Sequence, residues 1–390
     1  MSKKLERPGV ESEISTIRTE KNPSRRDILK LGAVGLGLWG LNSKEVWAQE
    51  EVRTNPENIE APAVALHIFY SSHVGEEDIK EFKDKIKEFD IYIPEGVGWA
   101  PEELADLESV SKGEISPQEY LDKRGLTPKR AGTFYFFLKA ELEGIHGSKK
   151  KIAFVDIPYD HKLLETREKV TAEMFDALIP QEQEFGKFLL GFGHRVRAYV
   201  EDYQKEREKY IIERLEDLFN KIEHNKLPEL ADKKKITVLM MLGAMHTEIY
   251  QTLKRKKVAA SRSFSKMPFV FDSMGHFGEM TRRYHFNKQV SDELAARTFA
   301  GLALKAVLTA EINHGELIWP SKDPGTMDTF LYKALSSLNL DEIQGVYVQS
   351  QNPKAPSLTL LASKLLRALA NKDIWLPRSE QELKNLIGKV

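Results

Sequence analysis

Two β-rich runs with an amphipathic segment between them most constrain the fold of this chain. Residues 64–70 (Val-Ala-Leu-His-Ile-Phe-Tyr) and residues 90–96 (Asp-Ile-Tyr-Ile-Pro-Glu-Gly) have the composition of short strands. Residues 76–89 have a helical pattern, in which apolar residues recur at spacings of three and four. A strand, a helix and a second strand with short connections form a βαβ unit, which predicts a parallel sheet.

The rest of the chain continues this alternation. Further strands are predicted at residues 151–156, 236–242, 269–272 and 346–349, and helices at residues 129–145, 291–312, 357–371 and 379–389. Residues 160–224 have a long helical pattern with breaks near Pro180 and around residues 191–193. The sequence therefore predicts an α/β fold in one domain over residues 63–390, with a central, mostly parallel sheet, flanking helices and a long helical insertion between strands.

The composition limits the classes of protein to which the chain can belong. Hydrophobic residues make up 41% of the chain and charged residues 30%, which is typical of a globular protein. A formal net charge of −1 gives no basic excess for nucleic-acid binding. The chain has no cysteine, which excludes disulfides, thiolate metal sites and cysteine nucleophiles and leaves histidines and carboxylates as ligands and acid–base groups.

The N-terminal segment has the three parts of an export signal. A basic run (Ser-Arg-Arg-Asp-Ile-Leu-Lys, residues 24–30) precedes an apolar stretch that is too short for a membrane span, and a small residue, Ala48, marks a cleavage site. The basic run is similar to the twin-arginine signature, with Ile28 where Phe is commoner. We predict a twin-arginine signal peptide over residues 1–48 and a linker over residues 49–62.

This signal predicts an exported protein that is periplasmic, extracellular or anchored on the outer face of a membrane. Its partners would be the Tat translocase during export and a peptide or small-molecule substrate afterwards. Membrane contact would come only through an uncleaved signal. The alternative interpretations are a chance pair of arginines at the start of a helix and an uncleaved membrane anchor. Because the twin-arginine route carries folded proteins, it also permits a cofactor to be loaded before export.

Polar side chains follow four of the predicted strands. His73 follows the first strand, Glu95 the second and His246 the run at 236–242, and Asp156 ends the third strand. Because ligands of open α/β sheets bind at the carboxyl ends of the strands, we expect these side chains at one rim. Two imidazoles with one or two carboxylates suit a divalent metal site or a general acid–base set. A hydrogen-bonded structural residue is the alternative for each of them.

Other polar residues are weaker candidates. His276 and Glu279 lie three positions apart and would share a helix face, but the flanking glycines favour a turn. Arg207 and Arg214 lie on one predicted helix, where an arginine can pair with carboxylates or clamp an anionic group. A solvated helix face is the expectation for Arg214.

Four blocks of the chain resemble the TraB/PrgY/Tiki family, which belongs to a wider set with erythromycin esterase and ChaN. The block at residues 66–96, with Ser-Ser-His-Val-Gly and then Asp-Ile-Tyr-Ile-Pro-Glu, is similar to the family's first Gly-x-x-His and its following Glu. Val-Asp-Ile-Pro at 155–158 is similar to its Asp-Arg-Pro strand end. Residues 206–215 resemble its Arg-containing helix, and Gly-Ala-Met-His at 243–246 resembles its second Gly-x-x-His.

The resemblance covers residues 64–256 and has two departures. Tyr70 stands where the first motif has Gly, and Ile157 stands where Arg is usual. The first departure bears on the tight geometry that a metal site would need.

The resemblance implies a metal-dependent hydrolase, which in some family members is a protease acting on peptides or secreted proteins. It implies that His73 and His246 are metal ligands, that Glu95 is a ligand or general base, and that Arg207 orients a ligand or stabilises an oxyanion. Asp156 completes the predicted ligand set. The predicted cofactor is a divalent metal ion from among Mn, Co, Fe and Zn, which would lower the pKa of its bound water and polarise a substrate carbonyl.

Two other functions stay open from the sequence. The first is a binding protein without catalysis, which would sequester a peptide or bind haem or iron as ChaN-like relatives do, with Tyr70 or His73 as an axial ligand. The second is a family member with a structural role only.

Overall fold

The computed structural model describes most of the chain in separate ranges. These are residues 63–71, 76–127, 134–224, 227–230, 232–264, 275–321, 325–351 and 357–389. The predicted signal peptide (1–48), the linker (49–62), His73 and the strand predicted at 269–272 lie outside the described residues.

The described residues fall into two compact units. The first, which we call the sheet unit, comprises the described residues up to Glu165 and those from Gln204 to Phe264. The second, which we call the helical unit, comprises Thr166–Tyr203 and the described residues from Gly275 onward. The division into two compact units does not decide whether residues 63–390 form one domain, so that expectation stays a prediction.

A five-stranded parallel sheet forms the centre of the sheet unit. Its strands are β1 (Ala63–Ser71), β2 (Ile91–Ile93), β3 (Lys151–Ile152), β4 (Lys235–Gly243) and β5 (Ala260–Phe264). They lie in the order β3-β2-β4-β1-β5. Every neighbouring pair is parallel, and β1 and β4 pair over their whole length. This sheet confirms the predicted α/β fold.

Helices separate the strands. The first four are α1 (Glu76–Lys85), α2 (Pro101–Lys112), α3 (Pro117–Lys123) and α4 (Phe134–Ile145). Between β3 and β4 come α5 (Leu163–Asp176), α6 (Phe185–Ala198), a π-helical turn (Tyr199–Gln204) and α7 (Lys205–Glu223). This segment confirms the predicted long helical insertion. Helix α8 (Thr247–Arg255) connects β4 to β5.

The part of the chain described after β5 is helical. It contains α9 (Gly275–His285), α10 (Asp292–His314), α11 (Gly325–Ser336), α12 (Leu340–Ser350), α13 (Leu358–Ala370) and α14 (Glu380–Lys389). The core of the helical unit includes Phe188, Phe299 and Tyr347, whose ring centroids lie 4.5–6.0 Å apart. Across the described ranges, no helix combines the length and the apolar character that a membrane crossing requires.

Burial explains why β1 and β4 lie at the centre of the sheet. Leu66, Ile68 and Phe69 of β1 are buried, as is the β4 run from Val238 to Leu242. Such nearly continuous apolar runs are typical of parallel strands that are covered on both faces. Since the strands share one direction, their carboxyl ends open on the same edge of the sheet, which we call the carboxyl edge.

Two strand predictions differ from the structure. The strand predicted at 346–349 is wrong, because these residues belong to α12, which begins with a capping box between Asn339 and Glu342. Its buried residues Ile343, Val346 and Tyr347 have helical spacing, and Val348 is 52% exposed. Strand β5 was not predicted, because Ala-Ser-Arg-Ser-Phe is largely polar and lies at an edge, paired only with β1.

Three local predictions need smaller corrections. The third strand is shorter than predicted, since β3 ends at Ile152 and Asp156 lies in the loop beyond it. Residues 191–193 do not break the helix, because they lie inside α6. The turn favoured for His276 and Glu279 is wrong, because both residues lie on α9 of the helical unit.

Candidate active site at the carboxyl edge of the sheet

Three of the predicted site residues meet at the carboxyl edge. Glu95 lies two residues beyond β2, Asp156 lies in the loop after β3, and His246 lies three residues beyond β4. The fourth, His73, lies outside the described residues, so its position relative to them stays a prediction. The three described side chains are brought together by Arg207 of α7, which is 4% exposed.

The Arg207 guanidinium contacts all three of these side chains. Its Nε donates to Asp156 Oδ1 at 2.9 Å, and its Nη2 donates to Asp156 Oδ2 at 2.5 Å. Nη2 also donates to Glu95 Oε1 at 2.8 Å. Nη1 lies 3.0 Å from His246 Nε2. The planar donor fork of arginine suits such bidentate contacts, so Arg207 joins the loops that follow β2, β3 and β4.

Glu208 is a fourth member of the cluster that sequence reasoning missed. Its Oε1 lies 2.8 Å from His246 Nδ1, and the residue is buried. A carboxylate accepts, so Nδ1 carries a proton and donates to it. Glu208 lies among several glutamates of α7, and no spacing in the sequence distinguishes it from them. We refer to Glu95, Asp156, Arg207, Glu208 and His246 as the Arg207 cluster.

The charges of the Arg207 cluster do not balance. Glu95 and Asp156 contact the guanidinium and Glu208 contacts His246, so three carboxylates and one guanidinium leave a net negative charge while the His246 imidazole is neutral. Burial and the charge of Arg207 lower the pKa of His246, but the hydrogen bonds with Glu208 and Glu95 outweigh them and raise it to about 9. The carboxylates therefore favour the imidazolium, whereas the 3.0 Å contact of Nε2 with Arg207 belongs to the neutral ring.

The two protonation states of His246 have different partners at Nε2. Arg207 can donate to Nε2 only while this nitrogen has no proton, because a guanidinium has no acceptor. When Nε2 is protonated, the acceptor in reach is Glu95 Oε1, at 3.6 Å. When His246 loses this proton, the partner of Nε2 therefore changes from the Glu95 carboxylate to the Arg207 guanidinium.

Neighbouring groups fix the loop that carries His246. The second oxygen of Glu95 accepts from the Gly243 amide. The Tyr70 hydroxyl donates to the His246 carbonyl at 3.1 Å, and the Gln204 side-chain amide donates to the Met245 carbonyl at 3.5 Å. Burial raises the pKa of Tyr70 above its ordinary value, which keeps the phenol protonated as a donor. Tyr70 therefore supports the His246 loop from within β1.

The loops that carry Glu95 and Asp156 are also packed together. Trp99 donates through Nε1 to the Asp156 carbonyl at 2.8 Å, and its ring stacks on Phe154 at 4.9 Å between centroids. Gly96 lies directly under Phe154, so a Cβ at this position would overlap the ring. Asp156 Oδ1 accepts the amide of Ile157 at 2.8 Å. These contacts hold both carboxylates in place.

The weaker candidates have partners elsewhere. Arg214 is half-exposed and pairs with Asp217 at 3.4 Å, which confirms the expected solvated face. In the helical unit, His276 is buried against Tyr332 and lies 3.3 Å from Ser336 Oγ, and Glu279 pairs with Arg283 at 2.9 Å. These contacts account for His276 and Glu279 as structural residues of that unit.

The fit of the cluster to a divalent metal is incomplete in the residues that the structure describes. His246 Nε2 and Glu95 Oε1 are only 3.6 Å apart, but each already faces a nitrogen of Arg207. Over the described ranges, no group of three His, Cys, Asp or Glu residues converges as a metal site. The predicted metal, and His73 as its ligand, stay predictions.

Comparison of the chain with protein-family models, curated proteins and solved structures finds no match. The resemblance to the TraB/PrgY/Tiki family accordingly stays a prediction from the four sequence blocks.

Proposed function

We propose that this chain is an exported hydrolase that cleaves carbonyl substrates, either peptides or small esters, at the Arg207 cluster. One observation carries the proposal: the carboxylate of Glu95 and the ring nitrogen of His246 lie 3.6 Å apart beside a buried guanidinium. A base, an acid and a fixed positive charge within one cluster are the groups that acyl transfer to water requires.

Glu95 is the proposed general base. Its side chain is 17% exposed, more than those of its partners, so it is the group of the cluster that a water molecule can reach. Arg207 and the Gly243 amide hold its two oxygens in place. As the water oxygen bonds to the substrate carbonyl carbon, Glu95 takes one proton from the water.

Arg207 and protonated His246 supply the positive charge for the oxyanion that forms. The leaving group then takes the proton from His246 Nε2 as its bond to the carbonyl carbon breaks. The ring that results is neutral and accepts from Arg207 Nη1 at 3.0 Å. Transfer of the proton from Glu95 to His246 over the 3.6 Å between them restores the starting state. Glu208 orients the ring throughout through Nδ1.

A divalent metal is the cofactor predicted from the sequence, and it would polarise the carbonyl and activate the water. The steps above use only side chains of the chain itself, because Arg207 engages His246 and Glu95 in the described geometry.

The test is a hydrolysis assay with the purified full chain. Fluorogenic peptides and p-nitrophenyl esters serve as substrates, and Glu95→Gln and His246→Gln are compared with the exposed variant Arg214→Lys. We expect kcat to fall about 100-fold or more in the first two variants, which is typical of a lost acid or base, and to stay unchanged in the third. Circular dichroism confirms that each variant is folded.

Two results would count against the proposal. One is hydrolysis by Glu95→Gln at the rate of the unaltered chain. The other is a folded chain that turns over none of these substrates and shows a Soret band, which would favour the haem-binding alternative.

A further inference from the structure

We propose that Ser263 is a second reactive centre of the chain, a serine nucleophile that His67 activates and that accepts an acyl group from activated esters. His67 lies on β1, and Ser261 and Ser263 lie on the adjacent edge strand β5. These residues share no member with the Arg207 cluster. The inference therefore goes beyond the proposed hydrolase and does not depend on it.

The register of the two strands brings the three side chains together. His67 pairs with Ser261, and Ser263 lies two residues farther along β5 on the same face. His67 Nδ1 lies 2.8 Å from Ser261 Oγ, and His67 Nε2 lies 2.9 Å from Ser263 Oγ. Arg262, between the two serines, lies over the Tyr250 ring on the other face. The imidazole is therefore held between two hydroxyl groups.

The Leu66 carbonyl fixes the direction of these hydrogen bonds. Ser261 Oγ donates to this carbonyl at 3.4 Å, and a hydroxyl has only one proton to donate. Ser261 therefore accepts from Nδ1 of a neutral His67 ring, which leaves the lone pair of Nε2 to accept the proton of Ser263. A nucleophile, a base and a group that orients the base follow one another in this order in serine hydrolases.

The surroundings of His67 suit a general base. Burial and the charge of Lys85 lower the pKa of His67, and the charge of Glu88 opposes them less strongly, so the neutral ring is favoured at neutral pH. The ring packs beside Phe89 with 5.7 Å between centroids, which restricts its rotation. His67 and Ser263 are half-buried, so small molecules can approach the pair from solvent.

The proposed reaction forms an ester on Ser263. As Ser263 Oγ bonds to the carbonyl carbon of an activated acyl ester, the hydroxyl proton passes to His67 Nε2. The bond from the carbonyl carbon to the leaving alcohol or phenol then breaks, and His67 gives the proton to the leaving oxygen. A water molecule activated by His67 later releases the acid and restores the serine.

Ser336 of the helical unit is a matched control within the same chain. It also lies beside an imidazole, with its Oγ 3.3 Å from His276 Nε2. Its hydroxyl, however, donates to the Tyr332 carbonyl at 2.7 Å, so its proton is not directed at a base. We therefore expect Ser336 to be unreactive under conditions that modify Ser263.

The test is covalent labelling of the purified full chain with a fluorophosphonate probe and, separately, with p-nitrophenyl acetate. In the fluorophosphonate reaction, Ser263 Oγ bonds to phosphorus, fluoride leaves and His67 takes the proton. Mass spectrometry of peptides locates the adduct and measures the labelling rate. We expect about one adduct per chain on Ser263, none on Ser336, and a rate about 100-fold or more lower in His67→Gln.

Two further variants test Ser261 as a positioning residue. Ser261→Ala removes the acceptor that keeps the proton of His67 on Nδ1, so it should slow the labelling of Ser263. Ser261→Thr keeps the hydroxyl and should restore the rate. Circular dichroism checks that each variant is folded.

The proposal is overturned if Ser263 and Ser336 are labelled equally, or if a folded His67→Gln is labelled at the rate of the unaltered chain. If His67→Gln does not fold, the pH profile of the unaltered chain decides. The labelling rate should level off above pH 6.5, because the pKa of His67 is lowered from that value. A rate that continues to rise up to about pH 9 would also overturn the proposal.

The same measurement separates this inference from the hydrolase proposal. Water is the proposed nucleophile at the Arg207 cluster, so that reaction leaves no adduct on the chain. An adduct on Ser263 without turnover would support the second centre alone, and turnover without an adduct on Ser263 would support the Arg207 cluster alone.

Discussion

His246 and Glu208 form a buried pair in which the imidazole Nδ1 lies 2.8 Å from a carboxylate oxygen. The pair fixes the proton of the neutral ring on Nδ1 and turns Nε2 toward Arg207 and Glu95. It comes from two separate elements, the start of α7 and the loop after β4. The stability of the fold and the protonation of the site are therefore linked.

The free energy of unfolding is expected to fall as the pH rises from 6.5 to about 9. The pKa of His246 is raised from 6.5 to about 9 in the folded chain, so the folded state holds this proton more tightly than the unfolded state does. The resulting stabilisation is complete below pH 6.5 and is lost as the pH rises through the folded pKa. It amounts to about 3 kcal/mol. Urea unfolding across this window measures it.

Glu208→Gln is the matched variant for this experiment. It keeps the shape of the side chain but removes one of the charges that raise the pKa of His246, so its stability should depend less on pH in the same window. An equally steep loss of stability in this variant would contradict the assignment.

Arg207→Ala should destabilise the chain strongly. The substitution leaves buried carboxylates without their guanidinium, and breaking a buried pair in this way costs about 3–5 kcal/mol. Arg214→Ala, two turns along the same helix and half-exposed, should change stability by about 0.5 kcal/mol or less. Chemical unfolding of both variants checks the difference. Similar values for the two would show that the Arg207 contacts stabilise little.

Gly96→Ala is expected to lower both stability and hydrolysis. The added Cβ overlaps the Phe154 ring, which stacks on Trp99, and overpacking of this kind costs about 1–3 kcal/mol. Because Glu95 is the preceding residue, the shift also moves the proposed base. Gly186→Ala is the control and should be neutral or slightly stabilising, because among the described residues no atom beyond its chain neighbours and its own helix backbone lies within 4 Å of the added Cβ. Thermal unfolding and the ester assay compare the two.

Tyr70→Phe removes one hydroxyl and its hydrogen bond to the His246 carbonyl. The expected loss of stability is about 0.5–1.5 kcal/mol, the usual range for one intramolecular hydrogen bond. If Tyr70 positions His246, the imidazole signals in NMR should also shift and titrate at a different pH. Loss of stability without any change in the titration would limit Tyr70 to a packing role.

Replacement of Arg25 and Arg26 by Lys tests the predicted signal. Twin-arginine export reads the arginine pair, so the double variant should accumulate in the cytoplasm at full length, whereas Lys30→Gln should still be exported. Cell fractionation followed by mass spectrometry measures both location and N-terminus. Export of the double variant at the normal level would exclude this route.

The apolar runs within individual strands and the polar residues that follow them predicted most of the sheet and much of the candidate site. The apolar runs of β1 and β4 are long and buried on both faces, and the polar residues after β2, β3 and β4 meet because parallel strands end on one edge. Strand β5 was not predicted because it lies at the edge of the sheet and carries polar residues such as Ser261 and Arg262, so it lacks an apolar run. Glu208 was not predicted because its contact depends on how α7 packs against the His246 loop. The spacing of residues along α7 alone does not indicate that packing.

The strand order has a consequence for synthesis of the chain. β4 (Lys235–Gly243) lies between β2 and β1, which do not pair with each other. Until β4 has been synthesised, β1 and β2 therefore each have an edge without its partner strand. The sheet therefore closes after more than half of the polypeptide has been translated, and nascent chains expose strand edges for that whole time. If residues 1–48 are the predicted twin-arginine signal, a translocase that accepts only folded proteins cannot export the chain until β4 has been made, although the signal is made first.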